Sequence, residues 1–214
     1  MNKEEKLEQI YCLAQKLGLS LGEVVDCFSK KAERCSVTPE IVPGMYVYAD
    51  GLVSSEIIPN RQIKAVVGYV EEGMVYAVCL KQANLPWSSD FLSVPETKTM
   101  ISGKEATQKI LEAARTREKR AEAAQWCYDY AEDGVKPGEA FLASMNEWTK
   151  IFANERAINA SLTRLEFCGL SGCCWSSIEY SINNSWILYT SSGTKTGNLK
   201  DGNNDVYPVI AFRI

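Results

Sequence analysis

The amino-acid sequence predicts an α+β fold, and three observations support this prediction. Two apolar runs, at residues 63–70 and 74–80, are separated by a short Glu-Glu-Gly segment, which is typical of a β-hairpin. Capping boxes that open helices begin at Ser102 and at Ser144. From Trp175 onward, aromatic and apolar residues recur at the spacing of short strands.

Residues 1–40 are predicted to form a separate helical unit. Apolar residues repeat at helical spacing as far as Leu17, Gly18 ends that helix, and a capping box at Ser20 opens a second one. Because such short helices cannot bury an apolar stripe alone, we expect them to mediate oligomerisation or docking onto a larger assembly. A proline-containing linker then leads to the main domain, residues 43–214.

Two other roles stay open for the N-terminal helices. They can pack back onto the main domain, or they can read DNA as a helix-turn-helix. The second helix carries Glu23 and Asp26, whereas a DNA-recognition helix favours arginine, asparagine or glutamine. Assembly is therefore the preferred interpretation.

The middle of the chain is predicted to be mainly helical after the hairpin. The capping box at Ser102 opens a helix that is expected to run to about Ala131. Its basic segment, residues 115–120, is interpreted as a solvated helix face. The capping box at Ser144 opens a further helix, and a last helical segment contains Ile158.

The C-terminal region combines rigid anchors with changeable positions. Trp175, Trp186 and the alternation at residues 209–211 are typical of strands that face a core. The segments 183–184, 191–193 and 197–205 are together rich in glycine, asparagine, aspartate and serine, which predicts loops. Such loops on a rigid sheet have the composition that binding surfaces favour. An ordinary loop-rich end of a β-sheet is the alternative.

Composition bounds the class of protein. With 214 residues and 46% hydrophobic content, the chain can bury one sizeable core plus a small appendage. The net charge of −4 and a pI of about 5.1 argue against a general nucleic-acid-binding surface. No apolar run approaches the roughly 20 residues of a membrane span, and the charged start at Met1 is not a secretory signal. Eight cysteines without such a signal indicate a reducing compartment, so we predict free thiols and a cytoplasmic or virion location.

Catalytic motifs are absent from the sequence. Without histidine, Ser-His and Cys-His activation are excluded, and no phosphate-binding or dinucleotide-binding glycine loop occurs. Cys168, Cys173 and Cys174 do not have the spacing of a zinc site. Glu179 lies close to two serines, and we interpret it as a hydrogen-bonding brace and not as part of a catalytic trio. We therefore predict no catalytic residue, no metal and no cofactor.

Several motifs together resemble a known family. The sequence Trp-Ser-Ser-x-Glu-Tyr-Ser at Trp175–Ser181 is followed by Asn183–Trp186 and by Pro208–Phe212. This succession resembles the end of the C-type-lectin-fold domains called major paralogous domains, which are related to the variable proteins of diversity-generating retroelements, including phage tropism determinants. The similarity begins near Gly44–Gly51 and covers roughly residues 43–214. It implies two helices packed on a twisted antiparallel sheet with a loop-rich lobe.

The sequence departs from the family pattern in three places. Residues 139–143 replace a Trp-Tyr-Leu-Pro segment, and residues 206–209 read Val-Tyr-Pro-Val where the family has Val-Arg-Pro-Val. These two changes do not support a family-typical arginine contact or loop geometry. Cys173 and Cys174 stand before Trp175 in place of aromatic residues, as a diversified site would.

The resemblance implies a division of roles at the C-terminal end. Scaffold roles fall to Trp175, Ser176, Ser177, Glu179 and Trp186. In diversified members of the family, asparagine codons are randomised at their adenines, and many of the interleaved residues can arise in that way. The predicted ligand-binding residues are Cys173, Cys174, Ile178, Ile182, Asn183, Asn184, Ile187, Tyr189, Thr194, Thr196, Asn198, Leu199, Asp201 and Asn203. The isoleucines also suit a buried strand face, most of all Ile187.

The preferred hypothesis is a non-enzymatic recognition protein of phage or prophage origin. It would bind a protein or cell-surface ligand, without nucleic acid and without a membrane span, as a homo-oligomer or docked to a virion. One alternative is an intracellular regulator whose N-terminal helices read DNA while the main domain senses a ligand. Another is an enzyme of the formylglycine-generating type, which has a related fold and a reactive cysteine pair.

Overall fold

The computed structural model of the protein describes residues 40–213, together with Ala14, Lys16, Gly18 and Ser20. The chain divides into two compact units, Met1–Glu40 and Ile41–Ile214. The roles predicted for residues 1–40 rest almost entirely on positions outside the described residues.

The second unit is an α+β domain, as predicted, with eleven strands and four α-helices in its described residues. A 3₁₀ helix, Pro95–Thr99, precedes the first α-helix. The strands are β1 Tyr46–Tyr48, β2 Val53–Ser54, β3 Ile63–Glu71, β4 Met74–Cys79, β5 Ala83–Pro86, β6 Ala140–Leu142, β7 Cys173–Glu179, β8 Asn184–Tyr189, β9 Lys195–Leu199, β10 Asn203–Val206 and β11 Pro208–Arg213. The helices are α1 Gly103–Thr116, α2 Glu122–Asp129, α3 Met145–Ala153 and α4 Glu155–Arg164.

The first sheet has six strands in the order β2-β1-β3-β4-β11-β6, and every pair is antiparallel. The predicted hairpin is confirmed: Glu72 and Gly73 join β3 to β4, both with positive φ, which matches the twist of paired strands. Strand β11 lies inside this sheet. Val209 is buried in the largest core and Ala211 packs against it, so the predicted core-facing alternation is confirmed, and Ile210 on the other face is buried in a separate core.

The second sheet has five strands in the order β5-β10-β7-β8-β9. The β10–β7 pair is parallel and the other pairs are antiparallel. Several residues predicted to be loops belong to its strands: Asn184 pairs with Leu199, and Asn203 pairs with Pro86. Cross-strand pairing thus overrides the turn preference of asparagine and glycine in β9 and β10.

The capping boxes at Ser102 and Ser144 are confirmed as helix starts, while the helix predicted after Ser20 lies outside the described residues. The Ser102 hydroxyl accepts a hydrogen bond from Glu105 N, and Ser144 and Glu147 form a reciprocal box. The Glu147 carboxylate also accepts from Gly103 N at 3.0 Å, so this buried side chain serves the first turns of both α1 and α3. Burial raises the pKa of Glu147, although the backbone donors oppose the shift.

The prediction of one helix from Ser102 to about Ala131 is wrong. Helix α1 ends at Thr116, Glu118 has a positive φ of 52°, and α2 begins at Glu122. Tertiary contacts explain the break, because the connecting segment binds the loop before the 3₁₀ helix. The Arg120 guanidinium donates to both carboxylate oxygens of Asp90, at 3.0 and 2.8 Å, and Ser88 Oγ donates to the Arg120 carbonyl at 2.6 Å.

The largest core joins both sheets to α3 and α4. It contains Val66 and Val209 from the first sheet, Leu188 from the second, and Trp148 and Ile158 from the helices. A second core packs α1 and α2 against β7 and β8. Within the described residues, no helix is both long and apolar enough to cross a membrane.

Replacing Asp90 by asparagine is expected to destabilise the protein in a pH-dependent way. Hydrogen bonds from Arg120 lower the pKa of Asp90 from 3.8 to about 2. A carboxyl group with a depressed native pKa contributes stability above its ordinary pKa, and this contribution is lost as the pH falls through the native value. Urea unfolding should therefore show a difference between wild type and Asp90→Asn that is constant above about pH 5 and shrinks toward about pH 2. The exposed substitution Asp201→Asn is the control. A difference for Asp90→Asn that is the same at every pH would contradict the assignment.

Candidate functional site

The predicted binding residues lie on β7, β8, β9, β10 and the segments that connect them. Cys173 pairs with Tyr189, and Trp175 pairs with Ile187, which in turn pairs with Thr196. Directly paired residues share a face of a sheet, as do residues two apart along one strand. These five side chains therefore lie on one face of the second sheet, where Trp175 and Ile187 are buried in the second core.

Three indole groups fix β7 within the domain. Trp175 is buried, as predicted, and its Nε1 donates to the Leu85 carbonyl of β5 at 2.9 Å. Trp148 Nε1 donates to the Trp175 carbonyl, and Trp87 Nε1 to the Ser176 carbonyl, each at 2.9 Å. Buried indole N–H groups need acceptors, so these three bonds fix the orientation of each ring as well as its packing against β7. The strand is thereby held from three sides.

The second predicted anchor, Trp186, is not a core residue. It is only partly buried, and its ring meets the exposed Tyr180 edge-on, with centroids 4.7 Å apart. The Tyr180 ring lies over Gly197, where any Cβ would overlap it. This prediction is corrected: the ring pair forms part of the surface of the sheet because the strand face that carries Trp186 is only partly covered.

Ser176 and the neighbouring Ser185 act as internal hydrogen-bond donors. Ser176 Oγ donates to the Trp186 carbonyl at 3.0 Å, and Ser185 Oγ donates to the Ile178 carbonyl at 2.8 Å. Between Trp175 and Glu179 the pairing of β7 with β8 is irregular, so these bonds replace regular ladder bonds. Ser177 is buried as well, but its Oγ has no hydrogen-bond partner among the described residues. The predicted scaffold role is consistent with the hydrogen bond of Ser176 and, for Ser177, with its burial alone.

A buried ion pair lies beneath the C-terminal loops. Lys200 Nζ is 2.7 Å from Glu179 Oε2, and the two residues are 0% and 1% exposed. The ammonium also donates to the carbonyls of Leu92 and Ile182, at 2.7 and 3.1 Å, and lies 4.7 Å from the centre of the Trp87 ring. Burial lowers the pKa of Lys200, while the bond to Glu179 opposes that shift.

The carboxylate of this pair is fully engaged as well. Glu179 Oε2 accepts from Val94 N at 2.6 Å, and Oε1 lies 3.6 Å from the ammonium of the exposed Lys98. The pair therefore connects the loop before the 3₁₀ helix, the β7–β8 turn and the β9–β10 turn. These interactions match the brace predicted for Glu179. The burial of Lys200 has no signal in the sequence, since a lysine in a glycine- and asparagine-rich segment is usually exposed.

The structure separates the predicted binding residues into three groups by exposure. Three are partly buried: Cys173, Asn184 and Asn198. The exposed residues are Ile182, Asn183, Tyr189, Thr194, Thr196, Leu199, Asp201 and Asn203.

The remaining three residues, Cys174, Ile178 and Ile187, are buried, so their prediction as surface contacts is corrected. Cys174 belongs to the largest core and pairs with the buried Leu188. Ile187 is packed with Trp175 in the second core, as the strand-face alternative allowed. A β-strand must direct alternate side chains inward, and these positions fill that role.

The accessible residues fall into two adjoining regions. We call Cys173, Tyr189, Thr196 and Asn198 the sheet face; they lie on the face defined by the strand register. We call Tyr180, Ile182, Asn183, Asn184 and Leu199 the rim. Ile182 and Leu199 are 65% and 53% exposed, and Tyr180, which the sequence analysis did not include, is 48% exposed. The Tyr180 ring stacks on Gly197, and this contact places Tyr180 in the rim. No sequence pattern predicts the contact.

The thiols near the sheet face are not activated. All five described cysteines are free, as predicted, and three of them are buried. Burial raises the pKa of both Cys173 and Cys174, so the thiol form predominates at neutral pH. Asp205 accepts hydrogen bonds from Asn84 and from Cys173 N, at 3.0 and 3.2 Å. The region is therefore suited to contact by neutral hydrogen-bonding and apolar groups.

Comparison with known proteins supports the fold class alone. No protein-family model matches the sequence, and no curated protein matches it. A solved structure of a fimbrial protein from Bacteroides ovatus ATCC 8483 is similar, with a TM-score of 0.64 and 15% sequence identity. The similarity covers 80% of this chain and 49% of the fimbrial chain, so this chain spans about half the length of that protein. At this identity, the likeness shows a shared fold.

Breaking the buried ion pair is expected to destabilise the domain strongly. Lys200→Met and Glu179→Gln should each lower the free energy of unfolding by about 3–5 kcal/mol, because the partner charge stays buried without compensation. The double variant should be more stable than the sum of the two losses predicts, by more than about 1 kcal/mol. Chemical denaturation of the four proteins measures this coupling. Additive losses would show that the two charges do not depend on each other.

Proposed function

We propose that the protein is a non-enzymatic recognition protein whose C-terminal sheet carries a changeable binding surface on a C-type-lectin-like scaffold. One observation carries the proposal. Most of the predicted binding residues are accessible on the sheet face and the rim, while the residues between them, such as Trp175 and Glu179, are buried and hydrogen-bonded. A surface that tolerates change needs this separation, because replacing a buried residue disturbs the fold.

The chemistry of the surface favours a protein or cell-surface ligand. The rim exposes Tyr180, Ile182 and Leu199, and exposed apolar groups next to polar ones mark interaction sites. The sheet face adds Tyr189 and Thr196, which combine aromatic contact with hydrogen bonding. Neither region depends on a cluster of positive charges, as a nucleic-acid ligand would require.

A role within a larger assembly is also part of the proposal. The fold is shared with about half of a fimbrial protein, and the sequence resembles phage variable proteins. Both comparisons favour a domain displayed on a particle or filament. Homo-oligomerisation or docking through residues 1–40 would supply the attachment and multiply weak individual contacts.

The two alternatives have less support. An enzyme of the formylglycine-generating type needs a reactive cysteine pair, yet burial raises the pKa of Cys173 and Cys174. A DNA-reading regulator would depend on the helices predicted in residues 1–40, which lie largely outside the described residues. Turnover that disappears in Cys173→Ser, or a DNA complex of the intact chain, would favour these alternatives.

Binding to bacterial cells is expected to depend on the sheet face and the rim. The fluorescently labelled intact protein, tested on a panel of bacterial strains by flow cytometry, should stain a subset of them. The triple variant Tyr189→Ser, Thr196→Ala, Leu199→Ser should lose that staining at an unchanged melting temperature, because all three side chains are exposed. The matched control replaces Lys104, Gln108 and Glu112 by alanine, three exposed positions on α1. Staining that survives in the first variant or is lost in the control would contradict the proposal.

Sequence diversification has a separate test in the DNA around the gene. A reverse-transcriptase gene and a near-identical repeat of the 3′ coding region are expected nearby. The two copies should differ at template adenines, within codons of accessible residues such as Thr196 and Leu199. If no such repeat exists, this chain is a fixed recognition protein and the diversified surface has to be withdrawn.

A further inference from the structure

Three of the four edge strands in the described part of the two sheets are protected against further pairing. Strand β2 is only two residues long. Strand β6 is covered by α1, because Thr107 Oγ1 accepts from Leu142 N at 3.0 Å and donates to the Leu142 carbonyl at 3.3 Å. Strand β5 is short and ends at Pro86, which has no N–H to offer. Native proteins protect edges in such ways because an open edge pairs with other chains.

Strand β9 is the edge that lacks this protection among the described residues. It has five residues without proline, and its pairing with β8 runs from Leu188–Lys195 to Asn184–Leu199 without an irregularity. A lysine on an edge strand commonly keeps a further strand away. The Lys195 ammonium is instead held against α3, because it donates to Thr149 Oγ1 at 2.7 Å. The edge of β9 is therefore open to another strand.

The strand register shows which backbone groups of β9 point outward. Tyr189 N donates to the Thr194 carbonyl at 2.9 Å, so Thr194 faces β8. In an antiparallel pair, residues that bond to the neighbouring strand alternate with residues whose N–H and C=O point away from it. Lys195 and Gly197 therefore turn these groups toward the open side. Leu199 does so too, but its N–H and C=O are bonded to neighbours within the chain.

The side chains along this edge give it two different faces. Gly197 and Leu199 share one face, on which the Tyr180 ring lies over Gly197 and Leu199 is 53% exposed. The opposite face carries the hydroxyl of Thr196 and the amide of Asn198. A strand that pairs with β9 thus meets apolar groups on one side and hydrogen-bonding groups on the other.

We propose that β9 binds its protein ligand as an added antiparallel strand. The inference rests on the proposed function, because the edge adjoins both the sheet face and the rim. The N–H and C=O groups of the ligand strand bond to Lys195 and Gly197. Opposite Gly197 the ligand has an apolar side chain that packs against Tyr180 and Leu199, and opposite Thr196 it has a hydroxyl or amide side chain. Because the bonds use main-chain groups, they persist when the side chains of β9 change.

Hydrogen exchange of the intact protein, followed residue by residue by NMR, tests the proposal. The probe is a short acetylated and amidated peptide in which valine and threonine alternate. In the free protein, the amides of Lys195 and Gly197 should exchange fast, and the amide of Thr196, which faces β8, should exchange slowly. Saturating peptide should slow exchange at Lys195 and Gly197 by about tenfold or more.

Two N-methylated peptides make the test specific for this pairing. Directly opposite residues in an antiparallel pair exchange both bonds, so the valine opposite Gly197 turns its N–H toward β9. Methylation of the valine nitrogens should weaken binding about tenfold or more, because a donor is lost and the Gly197 carbonyl is left without a partner. Methylation of the threonine nitrogens, which lie on the other edge of the peptide, should leave binding unchanged.

A matched pair of variants tests the same contact from the side of the protein. Lys195→Pro removes an outward N–H without removing a bond to β8, and proline is tolerated at such edge positions. It should lose peptide binding, whereas Lys195→Ala keeps the N–H and should retain it. Staining of bacterial cells that survives in Lys195→Pro but is lost in the triple variant would overturn strand pairing and leave the proposed function standing.

Three further outcomes would overturn the proposal. The first is a peptide that does not protect Lys195 and Gly197, and the second is equal binding of the two methylated peptides. The third is protection of these amides in the free protein that grows with protein concentration, which would place a second copy of the chain at the edge.

Discussion

The buried contact between Glu179 and Lys200 is the constraint on which the C-terminal region depends. Burying two charges is unfavourable unless their remaining hydrogen-bonding capacity is used, and here it is. The ammonium reaches two carbonyls and the Trp87 ring besides its partner, and the carboxylate reaches Val94 N. Because these contacts come from three separate loops, the pair sets where each loop leaves the sheet. The buried ion pair therefore determines the positions of the accessible residues on these loops.

Hydrogen bonds from the helices and from the loop before the 3₁₀ helix fix the position of β7, which carries Glu179. Trp148 on α3 and Trp87 before the 3₁₀ helix both donate to carbonyls of β7, so helix packing and strand position are coupled. The Glu147 carboxylate caps α1 and α3 together, which fixes the relation of the two helices before either meets the sheet. Polar groups thus join elements whose apolar faces alone would allow sliding, since dispersion contacts have little directionality.

The sequence specified the local elements better than their termination. The hairpin and the capping boxes at Ser102 and Ser144 were predictable because their signals are contained within a few neighbouring residues. The break after Thr116 was not, since it results from contacts with Asp90 that are distant in the chain. The burial of Lys200 escaped prediction for the same reason.

Which of the predicted binding residues are accessible could be predicted only in part, for a related physical reason. These residues lie on neighbouring strands and turns of one sheet, but a strand has two faces, and no pattern showed which residues faced inward. Cys174 and Ile187 lie on opposite faces of the second sheet and are both buried, because core packs against each face there. Alternation therefore fails as a guide where a sheet is covered on both sides, and it also fails at the margin, where Thr196 and Leu199 lie on opposite faces and are both exposed.

The position of β9 at the margin of its sheet has a consequence for how the protein can change over time. An edge strand pairs with only one neighbouring strand, so an altered side chain there disturbs a single strand pairing. Strand β8 has two neighbours, and β7 is also clamped by indoles from elsewhere in the chain. Tolerance to substitution should therefore decrease from β9 through β8 to β7. Sequence change can accumulate on the edge strand while the inner strands keep the fold stable.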